Sequence, residues 1–335
     1  MDVLITGGNG FVGRYLVRAL LSRGDRVRVL ALPTEDTAWL SEQGVVVHRG
    51  DIRLADSVSP AAHGADAVVH LAAMMDVWRP FHDYWDVNVA GTEHVARAAL
   101  SAGARRFVHM SSSSVYGVAP GAPVDESRPL APFDDPYPRT KAEADVLVQR
   151  MFADEGLPAV IIRPDQIFGP GDVMHFGKTA ERLLARRSIV AGRGDNALPL
   201  VYVTDAVRGL LLALDDDRAV GQAFNITNDD VVTQRAFLET AAAALGAPRP
   251  RAHVPYRLLY AAAWSAEHVA RRTGRRPALT RLGVVFAATD MRFSIEKARR
   301  VVGYAPEMPL TDGVRLAAEW FQGRGPRVPV PEPAT

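Results

Sequence analysis

The sequence contains no cysteine, and this absence excludes disulfide bonds, thiolate metal sites and thiol nucleophiles. It also lacks an apolar run near the roughly 18 residues that a membrane-spanning helix needs. The first predicted strand begins at Asp2, which leaves no room for a signal peptide. We therefore expect a cytoplasmic protein without an integral membrane segment.

The chain also has no marked excess of positive or negative charge. The chain has 39 Lys and Arg against 38 Asp and Glu, a formal net charge of +1. This balance gives no general attraction to nucleic acid, so we predict no nucleic-acid partner, and we predict no metal site. Apolar residues make up 48% of the 335 residues, enough for a sizeable core in one or two domains.

The first residues combine a short apolar strand, a glycine-rich turn and a helical pattern. Gly7, Gly10 and Gly13 have the spacing that allows a tight turn, close approach to a pyrophosphate and packing of helix on strand. The N–H groups at the start of the helix attract the anion. This context predicts dinucleotide binding, and a glycine-rich turn that binds nothing is the alternative.

Short β-rich runs alternate with helical patterns along the first half of the chain. Strands are predicted at 2–6, 26–32, 45–48, 67–72, 106–110 and 159–163, with helices at 88–102 and 138–152. Beyond residue 164, strands are predicted at 201–203 and 222–226, and helices at 205–214, 235–245 and 253–272. The alternation predicts an α/β fold, a Rossmann-type doubly wound parallel sheet of about seven strands. A smaller, interleaved C-terminal α/β domain would bind the substrate.

The predicted domains are discontinuous. The dinucleotide-binding domain covers 1–165 plus about 198–222, and the substrate-binding domain covers about 166–197 plus 223–322. The segment 323–335 is rich in proline and glycine and is predicted to be a disordered tail.

Tyr137 and Lys141 lie four residues apart, on one face of a predicted helix. A tyrosine hydroxyl has a pKa of about 10, and a nearby ammonium lowers this pKa by favouring the phenolate. The pair can serve as a general acid/base, and a surface lysine on an ordinary helix is the alternative. Serines 111–114 follow the fifth predicted strand, at the sheet edge where ligands bind. One of these hydroxyls can hydrogen-bond a substrate oxygen.

Together these motifs resemble the extended short-chain dehydrogenases/reductases, the superfamily of NAD-dependent epimerases and dehydratases. The resemblance runs from residue 1 to about 320, through TGxxGxxG at 6–13, GDI at 50–52, HLAA at 70–73, NVAGT at 88–92, VYG at 115–117, Tyr137 with Lys141, and Arg163-Pro164. The second half is most similar to the 3β-hydroxysteroid and sterol dehydrogenase branch, through 168–172, 221–229 and 293–304.

The resemblance implies roles for individual residues. Ser112 would be catalytic, with Ser111 and Ser113 as alternatives, and Tyr137 would be the acid/base. Lys141 would hold the nicotinamide ribose and lower the pKa of Tyr137. The implied cofactor-binding residues are Gly7, Gly10, Phe11, Val12, Gly13, Asp51, Ile52, Leu71, Ala72, Ala73, Asn88, Tyr137, Lys141 and Arg163. The residues expected to bind substrate are Met74, Trp78, Ser113 and Gln166. The resemblance also suggests a homodimer through the helices that contain Asn88 and Tyr137.

Two segments bear on the substrate. The segment after the fourth strand carries Met74, Met75, Val77, Trp78, Phe81, Tyr84 and Trp85. Such side chains suit a flat hydrophobic ligand, and packing of the next helix is the alternative. Residues 254–270 are largely apolar and precede four arginines within 271–276. This segment could wall the cleft, lie on a membrane surface or be an ordinary helix with a solvated basic end.

These features favour hydride transfer between a nicotinamide and a secondary alcohol or ketone of a steroid-like or polyketide-derived ring. A nucleotide-sugar epimerase or dehydratase is the first alternative. Such relatives carry an arginine for the diphosphate where this chain has Leu198, although Arg186, Arg187 or Arg193 could substitute. The second alternative is a non-enzymatic dinucleotide sensor, which would not need the serine, tyrosine and lysine together.

The residue that selects between NAD and NADP is missing from its usual place. An acidic residue at the end of the second strand would bind the ribose diol of NAD, and an arginine nearby would suit NADP. Here the position is Ala31, with Glu35 and Asp36 further along and Arg28 and Arg49 as nearby cations. We favour NAD because no arginine occupies the expected position, and NADP is the alternative.

Overall fold

The computed structural model describes residues 1–75, 78–118, 121 and 123–323. The predicted disordered tail lies outside the described residues from 324 onward, and so does Val77 of the segment after the fourth strand.

The strands are β1 (Asp2–Thr6), β2 (Arg26–Ala31), β3 (Val46–Arg49), β4 (Ala67–His70), β5 (Arg106–Met110), β6 (Ala159–Pro164), β7 (Gln166–Phe168), β8 (Val190–Ala191), β9 (Leu200–Tyr202), β10 (Ala223–Ile226) and β11 (His253–Val254). The helices are α1 (Phe11–Ser22), α2 (Ala38–Glu42), α3 (Ala55–Ala62), α4 (Phe81–Trp85), α5 (Gly91–Ser101), α6 (Pro136–Glu155), α7 (Phe176–Leu184), α8 (Val203–Asp215), α9 (Gln234–Leu245), α10 (Tyr256–Thr273), α11 (Arg281–Ala288), α12 (Glu296–Val302) and α13 (Leu310–Phe321). A π-helical turn, Asp86–Ala90, leads into α5, and 3₁₀ turns cover Ser113–Tyr116 and Asp217–Ala219.

Seven parallel strands form the main sheet in the order β10-β6-β5-β4-β1-β2-β3. The chain winds outward from β1 to β3 and then returns to β4 on the other side of β1. The crevice between the carboxyl ends of β1 and β4 is therefore the point at which the winding direction reverses, where such sheets bind ligands. The predicted Rossmann-type doubly wound sheet of seven strands is confirmed.

Apolar side chains cover both faces of this sheet. Ile5 of β1 belongs to a core that includes Leu16 of α1 and Leu210 of α8. Its neighbour Leu4 points to the opposite face, where it joins Val95 of α5. Successive residues of a strand alternate between faces, so a strand covered on both sides must be apolar throughout.

Local signals explain the boundaries of the helix that carries Tyr137. It was predicted at 138–152 and extends further at both ends. The Asp135 side chain caps the start by accepting a hydrogen bond from the Tyr137 N–H (3.1 Å), and Pro136 suits the first turn. Gly156 ends the helix in the left-handed conformation (φ 74°) that a side chain would strain.

The secondary structure or strand pairing of two segments differs from the prediction. The helix predicted at 88–102 begins with the π-helical turn rather than as an α-helix. The predicted strand 201–203 is β9, which pairs with β7 outside the main sheet. The division into two domains stays a prediction, and the main sheet takes its edge strand β10 from beyond the predicted boundary at residue 222.

Candidate active site

The glycine-rich turn after β1 forms a cradle that side chains would fill. A Cβ on Gly13 would lie 2.2 Å from the carbonyl oxygen of Gly7, and one on Gly7 would lie 2.8 Å from the Ala72 nitrogen. Gly7 also has a positive φ of 73°. Gly10 has no side chain to cap the start of α1, where backbone N–H groups attract anions. The turn therefore fits a dinucleotide pyrophosphate.

The residues after β4 border this cradle, and their contact with a cofactor stays a prediction. The Leu71 N–H donates to the carbonyl of Thr6 (3.1 Å), and the Ala72 N–H lies 3.3 Å from the Thr6 hydroxyl. Ala73 follows in the same segment. Leu71, Ala72 and Ala73 thus lie beside the point where the winding of the sheet reverses.

Four other predicted cofactor residues have contacts with neighbouring protein side chains. Val12 and Ile52 are buried, and a Cβ on Gly91 of α5 would meet the Ile52 side chain at 2.8 Å. Asp51 pairs with Arg53 (2.6 Å), whose hydrogen bonds lower the pKa of Asp51. Phe11 lies edge-on to Tyr15. Contacts of these residues with a cofactor stay predictions.

The structure brings Ser112 and Tyr137 together at the carboxyl end of β5. The Ser112 hydroxyl lies close enough to the Tyr137 phenol to lower its pKa, but burial has the larger effect. Burial, with Tyr84 adding to it, raises the pKa of Tyr137 above its usual value. The phenol therefore keeps its proton at neutral pH.

The other serines of the 111–114 run point elsewhere. The Ser111 hydroxyl donates to a carboxylate oxygen of Asp145 (2.7 Å) in the interior. Ser113 is buried, with its hydroxyl beside the Asp165 carboxyl, so its expected role in substrate binding is not supported. The Ser114 hydroxyl donates to the Ser112 oxygen (2.9 Å) and holds it in place. Ser112 is thus the serine that faces Tyr137.

Lys141 is buried one turn after Tyr137, and its ammonium donates to the carbonyl of Met110 (2.6 Å). Burial lowers the pKa of Lys141 to about 8, against the opposing effect of Asp145. The sequence-based expectation that Lys141 lowers the pKa of Tyr137 is not what the structure shows. The ammonium is directed at a backbone carbonyl, and Ser112 is the group that opposes the rise in the Tyr137 pKa.

Arg163 does not lie where a cofactor-binding side chain would. Its guanidinium is buried and donates two hydrogen bonds to Asp145 (2.8 and 2.9 Å) and one to the Tyr116 hydroxyl (2.7 Å). The Tyr116 hydroxyl in turn donates to Asn225 of β10 (2.9 Å). The predicted contact of the Arg163 side chain with the cofactor is replaced by this buried network, because its donors are directed to these partners.

Asn88, in the π-helical turn, also has internal partners. Its side-chain oxygen accepts from the Met74 N–H (2.7 Å), and its amide donates to the Met74 carbonyl (3.0 Å) and to Thr140 (3.0 Å). The side chain thus ties the segment after β4 to α6, and its contact with a cofactor stays a prediction.

The segment after β4 borders the site on one side. Met74 and Trp78 are half-buried, whereas Tyr84 is buried close enough to Tyr137 to raise its pKa. Gln166 is half-buried at the start of β7. Contacts of Met74, Trp78 and Gln166 with a substrate stay predictions.

The helix α10 keeps several large apolar side chains on its surface. Leu258 is 62% exposed and Trp264 is 55% exposed, whereas Leu259 is buried. A salt bridge from Glu267 to Arg281 (2.7 Å) joins α10 to α11. Within the described residues, no helix has the length and apolar character needed to cross a membrane.

Three buried polar groups near the site were not foreseen from the sequence. Asp145 could have been found from its spacing, because it follows Lys141 by four residues on the same helix face. His70 lies between the hydroxyls of Thr6 (2.6 Å) and Thr92 (2.9 Å), and burial lowers its pKa to about 3. Neither ring nitrogen of the neighbouring His109 has a hydrogen-bond partner among the described residues. His70 begins the HLAA motif at 70–73, but the motif gave it no role, and no local pattern marked His109.

Leu198 occupies the position where a nucleotide-sugar enzyme would carry a diphosphate-binding arginine, and its surroundings in the structure are apolar. Leu198 packs against the main core, and its N–H donates to the carbonyl of Val232 (2.7 Å). Arg193 pairs with Asp195.

A doubly wound sheet with a glycine cradle and a nearby serine–tyrosine pair defines a Rossmann-type nucleotide-dependent enzyme. Residues 3–227 match the model of the NAD dependent epimerase/dehydratase family, and the chain belongs to this family. It is an NAD-dependent oxidoreductase with hydroxysteroid dehydrogenase and ketoreductase homologues.

Relatives of known activity match nearly the whole chain. The 2-alkyl-3-oxoalkanoate reductase of Stenotrophomonas maltophilia is 33% identical, over 94% of this chain and 98% of its own length. The 3-beta-hydroxysteroid dehydrogenase of Mycolicibacterium neoaurum is 33% identical, over 91% of this chain and 87% of its own length. Among solved structures, the dTDP-glucose 4,6-dehydratase DesIV of Streptomyces venezuelae with NAD and TYD bound has a TM-score of 0.79. It is 27% identical, with 96% of this chain and 97% of that chain covered.

Proposed function

We propose that this enzyme transfers a hydride between a nicotinamide dinucleotide and a secondary alcohol or ketone of a hydrophobic, ring-containing substrate. A steroid-like or polyketide-derived ring fits best. The observation that carries the proposal is the pairing of Ser112 with Tyr137, with Lys141 one helical turn further along α6.

In the reducing direction, the site residues bind and protonate the carbonyl oxygen. Ser112 donates a hydrogen bond to this oxygen, and the protonated phenol of Tyr137 supplies the proton. Lys141 lies one helical turn away, and its buried ammonium donates to the Met110 carbonyl. The nicotinamide supplies the hydride when bound, with its pyrophosphate on the glycine turn and its ribose near Lys141.

The relatives support an apolar substrate. The names of the two curated relatives specify a 3-oxoalkanoate and a 3β-hydroxysteroid, each with an oxygen function on a largely apolar body. The half-buried side chains of Met74 and Trp78 suit such a body.

A nucleotide-sugar epimerase or dehydratase is the second candidate, favoured by the similarity to the dTDP-glucose 4,6-dehydratase. The apolar packing of Leu198 disfavours it, because a leucine cannot pair with a diphosphate. A thermal-shift and NAD(P)H-absorbance screen over sterols, aromatic polyketides and nucleotide sugars separates the two. Cofactor binding without turnover of any compound in the screen would instead support a dinucleotide sensor.

The direct test of the proposed chemistry is Tyr137→Phe. This change removes the proton donor and should abolish turnover while leaving cofactor binding largely intact. Tyr304→Phe is the matched control, because it removes another buried hydroxyl, whose partner is the carbonyl of Thr227. The proposal fails if Tyr137→Phe turns over substrate at the wild-type rate.

We further propose a homodimer through the helical segments that contain Asn88 and Tyr137, on the basis of the resemblance. The two-domain division and the cytoplasmic location are proposed from the sequence patterns described above. Sedimentation of the purified chain tests the dimer.

A further inference from the structure

The helix α10 is held on the protein by one face only. Its buried residues are spaced three or four positions apart and are Leu259, Ala263, Glu267 and Ala270. Leu259 and Ala263 share a small core with Val284 of α11. The Glu267 carboxylate accepts hydrogen bonds from the Arg281 backbone N–H and guanidinium (2.7 Å each). The opposite side of α10 therefore faces outward.

The outward side of α10 carries large apolar side chains. Leu258 is 62% exposed, Val269 is 58% exposed and Trp264 is 55% exposed. Leu258 and Val269 are separated by about three helical turns, so they lie on one line along the helix, with the exposed Ala262 between them. Single exposed apolar residues are common on protein surfaces, whereas several on one helix mark a contact surface.

The segment that contains α10 is also strongly basic. Residues 246–280 include one acidic residue, Glu267, whose carboxylate is paired with Arg281. The same residues include seven exposed arginines, at positions 249, 251, 257, 271, 272, 275 and 276. Because the whole chain has a net charge of only +1, positive charge is concentrated on this part of the surface. Charge complementarity therefore favours an anionic partner.

We propose that α10 and the arginines at its carboxyl end bind the surface of a membrane that contains anionic phospholipids, with the helix in the plane of the headgroups. Leu258 and Val269 would enter the boundary between headgroups and acyl chains, and the guanidinium groups would contact phosphates. A second copy of the chain fits less well, because it would bring two cationic segments together. A nucleic acid would engage the arginines but leave the aliphatic side chains in water.

The proposed lipid-binding helix lies near the start of α6, the helix that carries Tyr137. Burial raises the pKa of Asp135, the cap of α6; the hydrogen bond from the Tyr137 N–H opposes this rise, and the Glu267 carboxylate of α10 adds to it. A membrane bound to α10 would therefore be close to the candidate active site. It would be a reservoir for the hydrophobic substrate proposed above, but lipid binding itself does not depend on that proposal.

The experiment is co-sedimentation of the full chain with vesicles, in the absence of cofactor and substrate. Wild type should bind vesicles of equal parts phosphatidylglycerol and phosphatidylcholine more tightly than vesicles of phosphatidylcholine alone, and added salt should weaken this binding. Leu258→Ser/Val269→Ser should weaken it about tenfold or more, because apolar burial is lost. Arg272→Gln/Arg275→Gln should weaken it about tenfold, because two charges are removed.

The matched control is Leu54→Ser/Val231→Ser. Leu54 and Val231 are 62% and 58% exposed, as Leu258 and Val269 are, but they lie at the start of α3 and before α9. This variant makes the same chemical change elsewhere on the surface and should bind vesicles as wild type does. Thermal melting shows that each variant is folded.

The inference is overturned if wild type does not bind the anionic vesicles, or if folded Leu258→Ser/Val269→Ser binds them as wild type does. An equal loss in the Leu54→Ser/Val231→Ser control would also overturn it, because surface hydrophobicity in general would then explain the effect. Binding of a DNA duplex in place of vesicles would assign the surface to nucleic acid. A dimer that Leu258→Ser/Val269→Ser abolishes, in place of vesicle binding, would assign it to a second copy of the chain.

Discussion

Arg163 and Asp145 form a buried ion pair that joins β6 to α6, the helix that carries Tyr137. The guanidinium donates to both carboxylate oxygens, and the two side chains are 4% and 0% exposed. Asp145 also accepts from the Ser111 hydroxyl at the end of β5. Since Arg163 belongs to β6 and Asp145 to α6, the pair fixes the helix of Tyr137 and Lys141 against the carboxyl ends of two strands.

Removing one charge of this pair should lower the stability of the folded chain. Asp145→Asn leaves the Arg163 guanidinium buried without its counter-charge, and we expect a loss of about 3–5 kcal/mol in the free energy of unfolding. The double variant Asp145→Leu/Arg163→Met removes both charges and should lose less than Asp145→Asn. Urea unfolding measures both. A single variant as stable as wild type, or a double variant less stable than the single one, would contradict this account.

Ser112→Ala should lower kcat by about 10²–10³, because the hydroxyl that binds the substrate oxygen is lost. Binding of the dinucleotide should be unchanged. Ser113→Ala is the informative comparison, since the Ser113 hydroxyl lies beside Asp165 rather than at Tyr137. Steady-state kinetics with a substrate found in the screen measure both variants. Equal losses of kcat in the two would show that the serine facing Tyr137 has been wrongly assigned.

The buried carboxyl of Asp165 should make stability fall as the pH rises. Burial raises its pKa from the usual 3.8 to about 7 in the folded chain. Between these values the folded chain holds a proton that the unfolded chain has released, so the contribution of Asp165 to stability is fully present below pH 4 and is lost as the pH rises through 7. Asp165→Asn should remove this fall, which is on the order of 4 kcal/mol over the whole interval and about 3 kcal/mol between pH 5 and pH 8.

The measurement is urea unfolding of wild type and Asp165→Asn at pH 5 and pH 8. The buried His70 and His109, whose pKa values are lowered, act in the opposite direction at acid pH. Their contribution is common to both proteins and cancels in the comparison. An identical change in stability between the two pH values would exclude Asp165 as its source.

Local sequence patterns were enough to predict the architecture and to indicate where the candidate site lies. The six predicted strands between residues 2 and 163 all lie in the main sheet, within two residues of their predicted ends. The glycine cradle and the pairing of Tyr137 with a serine after β5 were likewise foreseen. Strand alternation, glycine spacing and the i, i+4 relation are local properties, so a single segment carries the signal.

The partners of the polar side chains depend on contacts between distant parts of the chain. Ser111, Ser112 and Ser113 are adjacent in the chain, yet their hydroxyls face Asp145, Tyr137 and Asp165, respectively. Arg163 was predicted to bind a cofactor and pairs instead with Asp145. Glu35 reaches the glycine turn because Arg49 and Asn9 hold its loop from two sides. These contacts join residues distant in the chain, so no local pattern could predict them.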